Sequence, residues 1–302
     1  MRESSFIEWI RSQSPFDAAA VPVGPGDDMA VVQFGRQALL VTTDQALDGV
    51  HFVLAEHGPR AAGRKAMARG LSDVAAMAAE PVAAVATVAL PRGFAREHAE
   101  EIYHGLRKLS DQFACPLVGG DVGSWDGPLA ISVTVFARPG PAGAILRSAA
   151  RAGDAVCVTG SLGAAWRTNR HLTFVPRIAE AATLARACEL HAMIDLSDGL
   201  SVDLAHVCKA SGVGAEVSAA DVPIHPDAAE LPDPLAAALG DGEDYELLFA
   251  VPAAEADRLV RGQPLGVPVA RVGTIVEGCE LALVRADGRR ESLEPTGWEH
   301  RT

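Results

Sequence analysis

Aspartates next to glycine, serine or threonine recur in six places: Gly26-Asp27-Asp28, Thr42-Thr43-Asp44, Leu71-Ser72-Asp73, Gly119-Gly120-Asp121, Ile194-Asp195-Leu196-Ser197-Asp198-Gly199 and Gly242-Glu243-Asp244-Tyr245. One such segment is an ordinary turn or helix cap. Six together suit a hard cation, because Mg²⁺ takes carboxylate, water and phosphate oxygens. Glycines beside them let backbone N–H groups approach phosphate closely, and the threonine hydroxyls beside Asp44 add ligand oxygens. The familiar phosphate loops are missing: there is no G-x-x-x-x-G-K-[ST] and no glycine-rich kinase loop followed by lysine. The chain has only three lysines, Lys65, Lys108 and Lys209, so metal must carry most of the charge neutralisation. These residues describe an ATP site built from aspartate and several magnesium ions.

The elements that must position them read as α/β (α+β) in two units. Ala30–Phe34 and Ala38–Thr43 form a hairpin, with a helix from about Pro59 to Ala79, a buried strand Val82–Leu90 and a helix from about Ala95 to Phe113. Strands follow near Leu117–Val118 and Leu129–Ala137. The aspartate segments fall at strand-to-loop junctions. The breaker cluster Arg138–Ala144 divides residues 1–138 from residues 145–302. The second unit reads as strands Asp154–Thr159 and Ala192–Asp195, helices Ile178–Leu190 and Leu200–Ala210, and strands Ala215–Val217 and Glu246–Val251. A helix Ala253–Arg261 and strands Val269–Val276 and Glu280–Val284 complete it. Val222–Pro234 is a loop or a broken helix, and Glu246 is an exposed strand residue.

Composition excludes several classes. With 302 residues, 49% hydrophobic and 22% charged, the chain is a globular protein of two domains' length. A formal charge of −13 argues against nucleic acid as a partner. The opening MRESSFIEWIRS alternates charged and apolar residues like an amphipathic helix, and no apolar run approaches the roughly 20 residues of a membrane span. Five scattered cysteines without CxxC spacing read as free thiols, so a cytoplasmic location is expected.

Read in order, GPGDDMAVV (24–32), VTTDQALDGVHF (41–52), LSDVAAMAA (71–79), VGGDV (118–122), RSAARAGDAVCVTGSLG (147–163), VPR (175–177), AMIDLSDGLSVDLAH (192–206), GEDYELLFAV (242–251) and GWEH (297–300) resemble the thiamine-monophosphate kinase family. That family lies within the superfamily that includes aminoimidazole-ribonucleotide synthetase, selenophosphate synthetase and a hydrogenase-maturation protein. The resemblance implies an N-terminal mixed-sheet domain that pairs across a homodimer and a C-terminal α/β domain. It implies direct in-line transfer of the ATP γ-phosphoryl to thiamine monophosphate, with no dedicated general base because the acceptor oxygen is already anionic. It also implies Asp27, Asp28, Thr42, Thr43, Asp44, Asp73, Asp121, Asp195 and Asp198 as metal ligands, Tyr103, Gly120, Asp121, Arg147 and Ser197 at ATP, and His51, Glu243 and Trp298 at the thiamine substrate. On residue chemistry alone, Tyr103 and Trp298 suit packing equally well, and Arg147 suits a surface ion pair.

The chain departs from the family in four places. GDV replaces GDT at 120–122, AAMAA replaces AAMGA, Asp241-Gly242 stands where the family has Gly-Gly before the glutamate, and the segment from Gly163 to Pro176 is much shorter. Two alternatives stand beside the kinase: another ATP-dependent, phosphate-activating synthetase of the superfamily, and a catalytically weak nucleotide-binding homologue. The GVHF, EDYELLF and GWEH segments favour the kinase.

Overall fold

The computed structural model describes residues 3–13 and 17–298, so Glu299 and His300 of the terminal motif lie outside it. After α1 (Glu3–Gln13), the chain forms β1 (Ala30–Phe34), β2 (Gln37–Leu47), α2 (Leu54–Ala76), β3 (Glu80–Pro91), α3 (Arg96–Gln112), β4 (Leu117–Trp125) and β5 (Ala130–Arg138). These strands make one mixed sheet in the order β1-β2-β5-β3-β4. β3 and β4 pair in parallel, since α3 carries the chain back across the sheet.

The second half contributes β6 (Asp154–Thr159), a 3₁₀ turn (Arg170–Leu172), α4 (Ile178–Ala187), β7 (Ala192–Asp195), α5 (Leu200–Ser211), β8 (Gly214–Ser218), α6 (Pro226–Ala229) and α7 (Pro234–Gly240). It then adds β9 (Leu247–Pro252), α8 (Ala253–Gly262), β10 (Val269–Val276), β11 (Leu281–Val284) and β12 (Arg290–Ser292). Its sheet runs β12-β11-β8-β10-β6-β9-β7.

Alternation along the strands sets the layers. In β6 and β9, Val156, Val158, Leu248 and Ala250 face one core, while Ala155, Cys157, Phe249 and Val251 face another. This sheet is therefore covered on both sides, as near-continuous apolar runs require. In β5 only alternate residues, from Ile131 to Ala137, are fully buried. The first sheet thus has one face under α2 and α3 and one open face.

Several expected boundaries move. β2 runs on to Leu47 and β4 to Trp125, so Thr42–Asp44 and Gly119–Asp121 lie inside strands. Leu71–Asp73 lies well inside α2, not at a strand end. Glycine at 120 permits the β4 placement, because a Cβ there would strike the carbonyl of Ala86, its partner on β3. Val222–Pro234 contains the short α6 and the first residue of α7, each with proline at its start. α2 carries a kink at Gly58 (φ 77°) just before Pro59, so a short turn precedes the predicted start. Glu246 is buried, not exposed. It accepts from Thr159 Oγ1 at 2.6 Å and pairs with Arg177.

α2 packs on α3 at a glycine-to-backbone crossing. A Cβ on Gly63 would collide with the Ile102 carbonyl, and one on Gly105 with the Arg60 carbonyl. Among the described residues no helix is long and apolar enough to cross a membrane. Cys115, Cys157 and Cys208 are buried free thiols, Cys188 is half-buried and Cys279 is exposed.

Candidate active site

The loops after β6 and β7 and the loop before β9 leave one edge of the second sheet together, because β9 is antiparallel to both neighbours. α2 lies against this edge, and one of its stripes carries Lys65, Arg69 and Asp73 at i, i+4, i+8, with Ser72 alongside. The stripe joins the two sheets.

At its C-terminal end, oxygens of Asp28, Asp73 and Asp195 lie within 4.8 Å of one another. Each carboxylate is held by a donor. Thr42 Oγ1 donates to Asp73, and Ser72 Oγ donates to Asp195 at 2.6 Å. Arg147 Nε and Nη2 donate to Asp28 at 3.0 and 2.7 Å. Asp27 accepts the N–H groups of Asp28 (3.0 Å) and Arg147 (3.2 Å). Burial, reinforced by the neighbouring carboxylates, pushes Asp73 well above the usual range. Burial with the nearby Asp28 raises Asp195 to about 7 and Asp27 to about 6. Carboxylates gathered away from water resist ionising together unless a cation joins them. Three clustered hard oxygen donors fit a magnesium-type ion.

In the middle of the stripe, Arg69 donates to Asp44 at 3.3 and 3.0 Å and to the Tyr245 hydroxyl at 3.2 Å. At the N-terminal end the fully buried Lys65 pairs with Glu243 and reaches His171 Nδ1 at 2.6 Å. Burial raises Glu243, but His171, Lys65 and Arg69 overcome it and hold the group down at about 2. Burial, only partly offset by Glu243, draws Lys65 down to about 8. Glu243 and Tyr245 both adopt left-handed backbone (φ 62° and 52°). A strained loop is thus held by its ion pair.

The remaining predicted residues divide by place. Thr42 and Asp44 point toward α2, whereas Thr43 points to the open face, where it accepts from Thr134 Oγ1 at 3.0 Å. Asp121 lies in register with Thr87, Ser132 and Gln45, on Thr43's face and exposed. The structure therefore does not bring the side chains of Thr43 and Asp121 into the carboxylate centre. Strand alternation is the reason. Tyr103, Gly120 and Asp121 come together instead around a 470 Å³ cavity between α3, β3 and β4, whose other walls include Ala86, Val88 and Ile102.

Ser197 O accepts the Glu243 N–H at 2.8 Å, and Asp198 O accepts that of Trp298 at 3.1 Å. Trp298 is 49% exposed. Asp198 groups with Asp203 and His206. His51 is buried, its Nδ1 accepting from the Leu47 N–H at 3.0 Å. Sequence reasoning missed Lys65, Arg69, Ser72 and His171. The i, i+4, i+8 spacing and the scarcity of lysine were the signals available for the first two.

Comparison with known proteins gives matches over nearly the whole chain. Residues 26–138 match the model for the AIR synthase related protein N-terminal domain, and 168–285 match that for its C-terminal domain. The thiamine-monophosphate kinase of Rhodopirellula baltica is 38% identical, covering 99% of this chain and 97% of its own length. That of Escherichia coli K12 is 32% identical, covering 93% and 92%. A solved structure of AaThiL complexed with AMPPCP and TMP superposes with a TM-score of 0.85 at 28% identity, covering 99% of this chain and 97% of the other.

Proposed function

This chain belongs to the thiamine-monophosphate kinase family, and we propose that it transfers the γ-phosphoryl of ATP to the phosphate of thiamine monophosphate, giving thiamine diphosphate and ADP. The observation that carries the reading is the carboxylate centre standing at one end of a charged stripe with Glu243 at the other. An anionic end and an organic end are both provided for.

Asp28, Asp73 and Asp195 would hold magnesium, with Asp27, Asp44 and Thr42 beside them. When bound, the metal neutralises phosphate charge and aligns the two reacting phosphates. The protein's own work is orientation. Arg147 fixes Asp28 through a two-pronged bond, and Ser72 and Thr42 fix the other two carboxylates. Tyr103 and Gly120 line the cavity for the nucleotide base, and Arg147 and Ser197 belong toward its phosphates. His51, Glu243 and Trp298 belong to the thiamine side. The acceptor oxygen is already ionised, so no side chain is needed to remove a proton, and positioning supplies most of the rate. Thr43 and Asp121 stay in the proposal as ligands only from the open face.

The free edge of the first sheet supports a homodimer. β4 is an edge strand exposed almost throughout, with Val118 63%, Val122 70% and Trp125 46% exposed. Unpaired apolar edges are usually covered. The five free thiols fit a reducing cytoplasm. Two sheets built from 30–138 and 154–292 support division of the chain at 138–145.

Incubation with ATP, Mg²⁺ and thiamine monophosphate, followed by chromatography, should yield thiamine diphosphate stoichiometric with ADP. ATP binding without diphosphate formation would move the chain to the synthetase or weak-homologue alternative. Light scattering should give twice the 31.4 kDa chain mass. A monomer mass at micromolar concentration rejects the β4 interface.

A further inference from the structure

We propose that Trp166 is the ring-stacking, specificity-determining residue at the thiamine end of the site, an inference that rests on the acceptor reading above. The stripe on α2 gives the direction. From Asp73 through Arg69 to Lys65 is eight residues, a rise of roughly 12 Å. With the acceptor phosphate at the carboxylate end, the organic part of the substrate extends toward Lys65.

Three aromatic side chains gather there. The Trp166 indole stacks on His171 with centroids 4.3 Å apart and an interplanar angle of 25°. His57 meets both edge-on, at 5.7 Å from His171 and 6.4 Å from Trp166. The group lies between the two residues that the family resemblance assigns to the substrate. Glu243 touches His171 and Lys65, with His171 Nδ1 3.4 Å from the carboxylate. His51 lies one short turn before Val53, whose N–H donates to His57 Nδ1 at 3.0 Å.

The indole is stacked upon by His171 and remains partly exposed. His171 covers the inner face, with Lys65 Nζ 5.3 Å from the ring centroid. The residue as a whole is still 38% exposed. Glu243 matches the charge of Lys65, so the exposed part of the indole is available to a cation. An indole face is the best side-chain surface for a flat cationic ring. Thiazolium is such a ring.

His171 supplies an independent observation. His171 Nδ1 lies 2.6 Å from Lys65 Nζ and 3.4 Å from the Glu243 carboxylate, so that nitrogen has a partner in either tautomer. Nε2 is buried without any partner, an arrangement that costs on the order of 1–3 kcal/mol. An aminopyrimidine, which carries both a ring-nitrogen acceptor and an amino donor, would satisfy it in either tautomer. The platform is also fixed in place. Arg64 donates to the carbonyls of Leu172, Thr173 and Phe174 at 2.6, 3.0 and 2.6 Å, pinning the shortened segment that carries Trp166.

The test is equilibrium binding of thiamine monophosphate by calorimetry, without ATP turnover, to the unaltered protein, Trp166→Phe and Trp166→Ala. A non-hydrolysable ATP analogue is titrated into each as a check on folding. The alanine variant should lose about tenfold or more in affinity for thiamine monophosphate while holding the analogue unchanged, with phenylalanine restoring most of the loss. Alanine binding thiamine monophosphate within about twofold of the unaltered protein overturns the assignment while leaving the kinase reading intact. Phenylalanine as weak as alanine, with the analogue still bound, overturns it too, since stacking would then not be the cause. If the unaltered protein neither binds nor phosphorylates thiamine monophosphate, the kinase reading itself fails, and this inference with it.

Discussion

Asp73→Asn is expected to lower kcat by about 10²–10³-fold or more while nucleotide still binds in the α3–β4 cavity. Asp73 is the member of the carboxylate centre contributed by α2, and Thr42 already occupies part of its hydrogen-bonding capacity. An amide keeps the shape and the hydroxyl contact but removes the charge that a divalent ion requires. The same substitution should alter the pH response of stability. Asp195 rises from an ordinary 3.8 to about 7 on folding, and Asp73 also rises. A carboxyl raised on folding favours the folded chain at low pH and loses that contribution as pH climbs through its folded value. Metal-free protein should therefore lose stability between about pH 4 and 7. Added Mg²⁺ should stabilise increasingly over the same window, because the ion takes the place of protons. Melting curves with and without Mg²⁺ across this range measure the effect. A Mg²⁺ shift of equal size in Asp73→Asn at every pH, or near-normal kcat, removes Asp73 from the centre.

Lys65→Met should be the most destabilising single change in the site. It deletes the fully buried ammonium paired with Glu243, leaving that carboxylate beside His171 with Arg69 3.7 Å away. Stranding one member of a buried pair costs about 3–5 kcal/mol, a fall in melting temperature on the order of 10 °C. Removing both charges should cost far less, since the penalty lies in the orphaned ion more than in the lost attraction. Lys65→Met/Glu243→Gln should thus melt above Lys65→Met alone. If the double variant is as unstable as the sum of the two singles, the pair is not coupled and Glu243 is held by other groups.

The sequence made much of this legible, and the limits have physical causes. Asp28, Asp73 and Asp195 could be named in advance because magnesium chemistry demands carboxylates and few other residues stand beside glycine or serine so often. Their convergence could not be derived, since it depends on β7 ending where α2 crosses. Thr43 and Asp121 went to the far face because residues adjacent in sequence alternate along a strand. The reading placed both at strand ends, where that alternation does not apply. Lys65 and Arg69 escaped notice because a buried cation is recognised by its partner, and Glu243 is 178 residues away from Lys65. Glu246 was misjudged for the same reason, its partner Arg177 lying in another element.

The crossing of α2 over α3 has a consequence for how rigidly the site is held. Gly63 and Gly105 place each helix's backbone directly against the other, with no side chain between them to yield. Ile102, which meets Gly63, adjoins Tyr103 in the cavity wall, and Lys65 to Asp73 continue from Gly63 along α2. The cavity wall and the charged stripe are thus fixed to one another like the jaws of a caliper. A side chain at either glycine would have to part the helices and so shift the cavity wall and the charged stripe together.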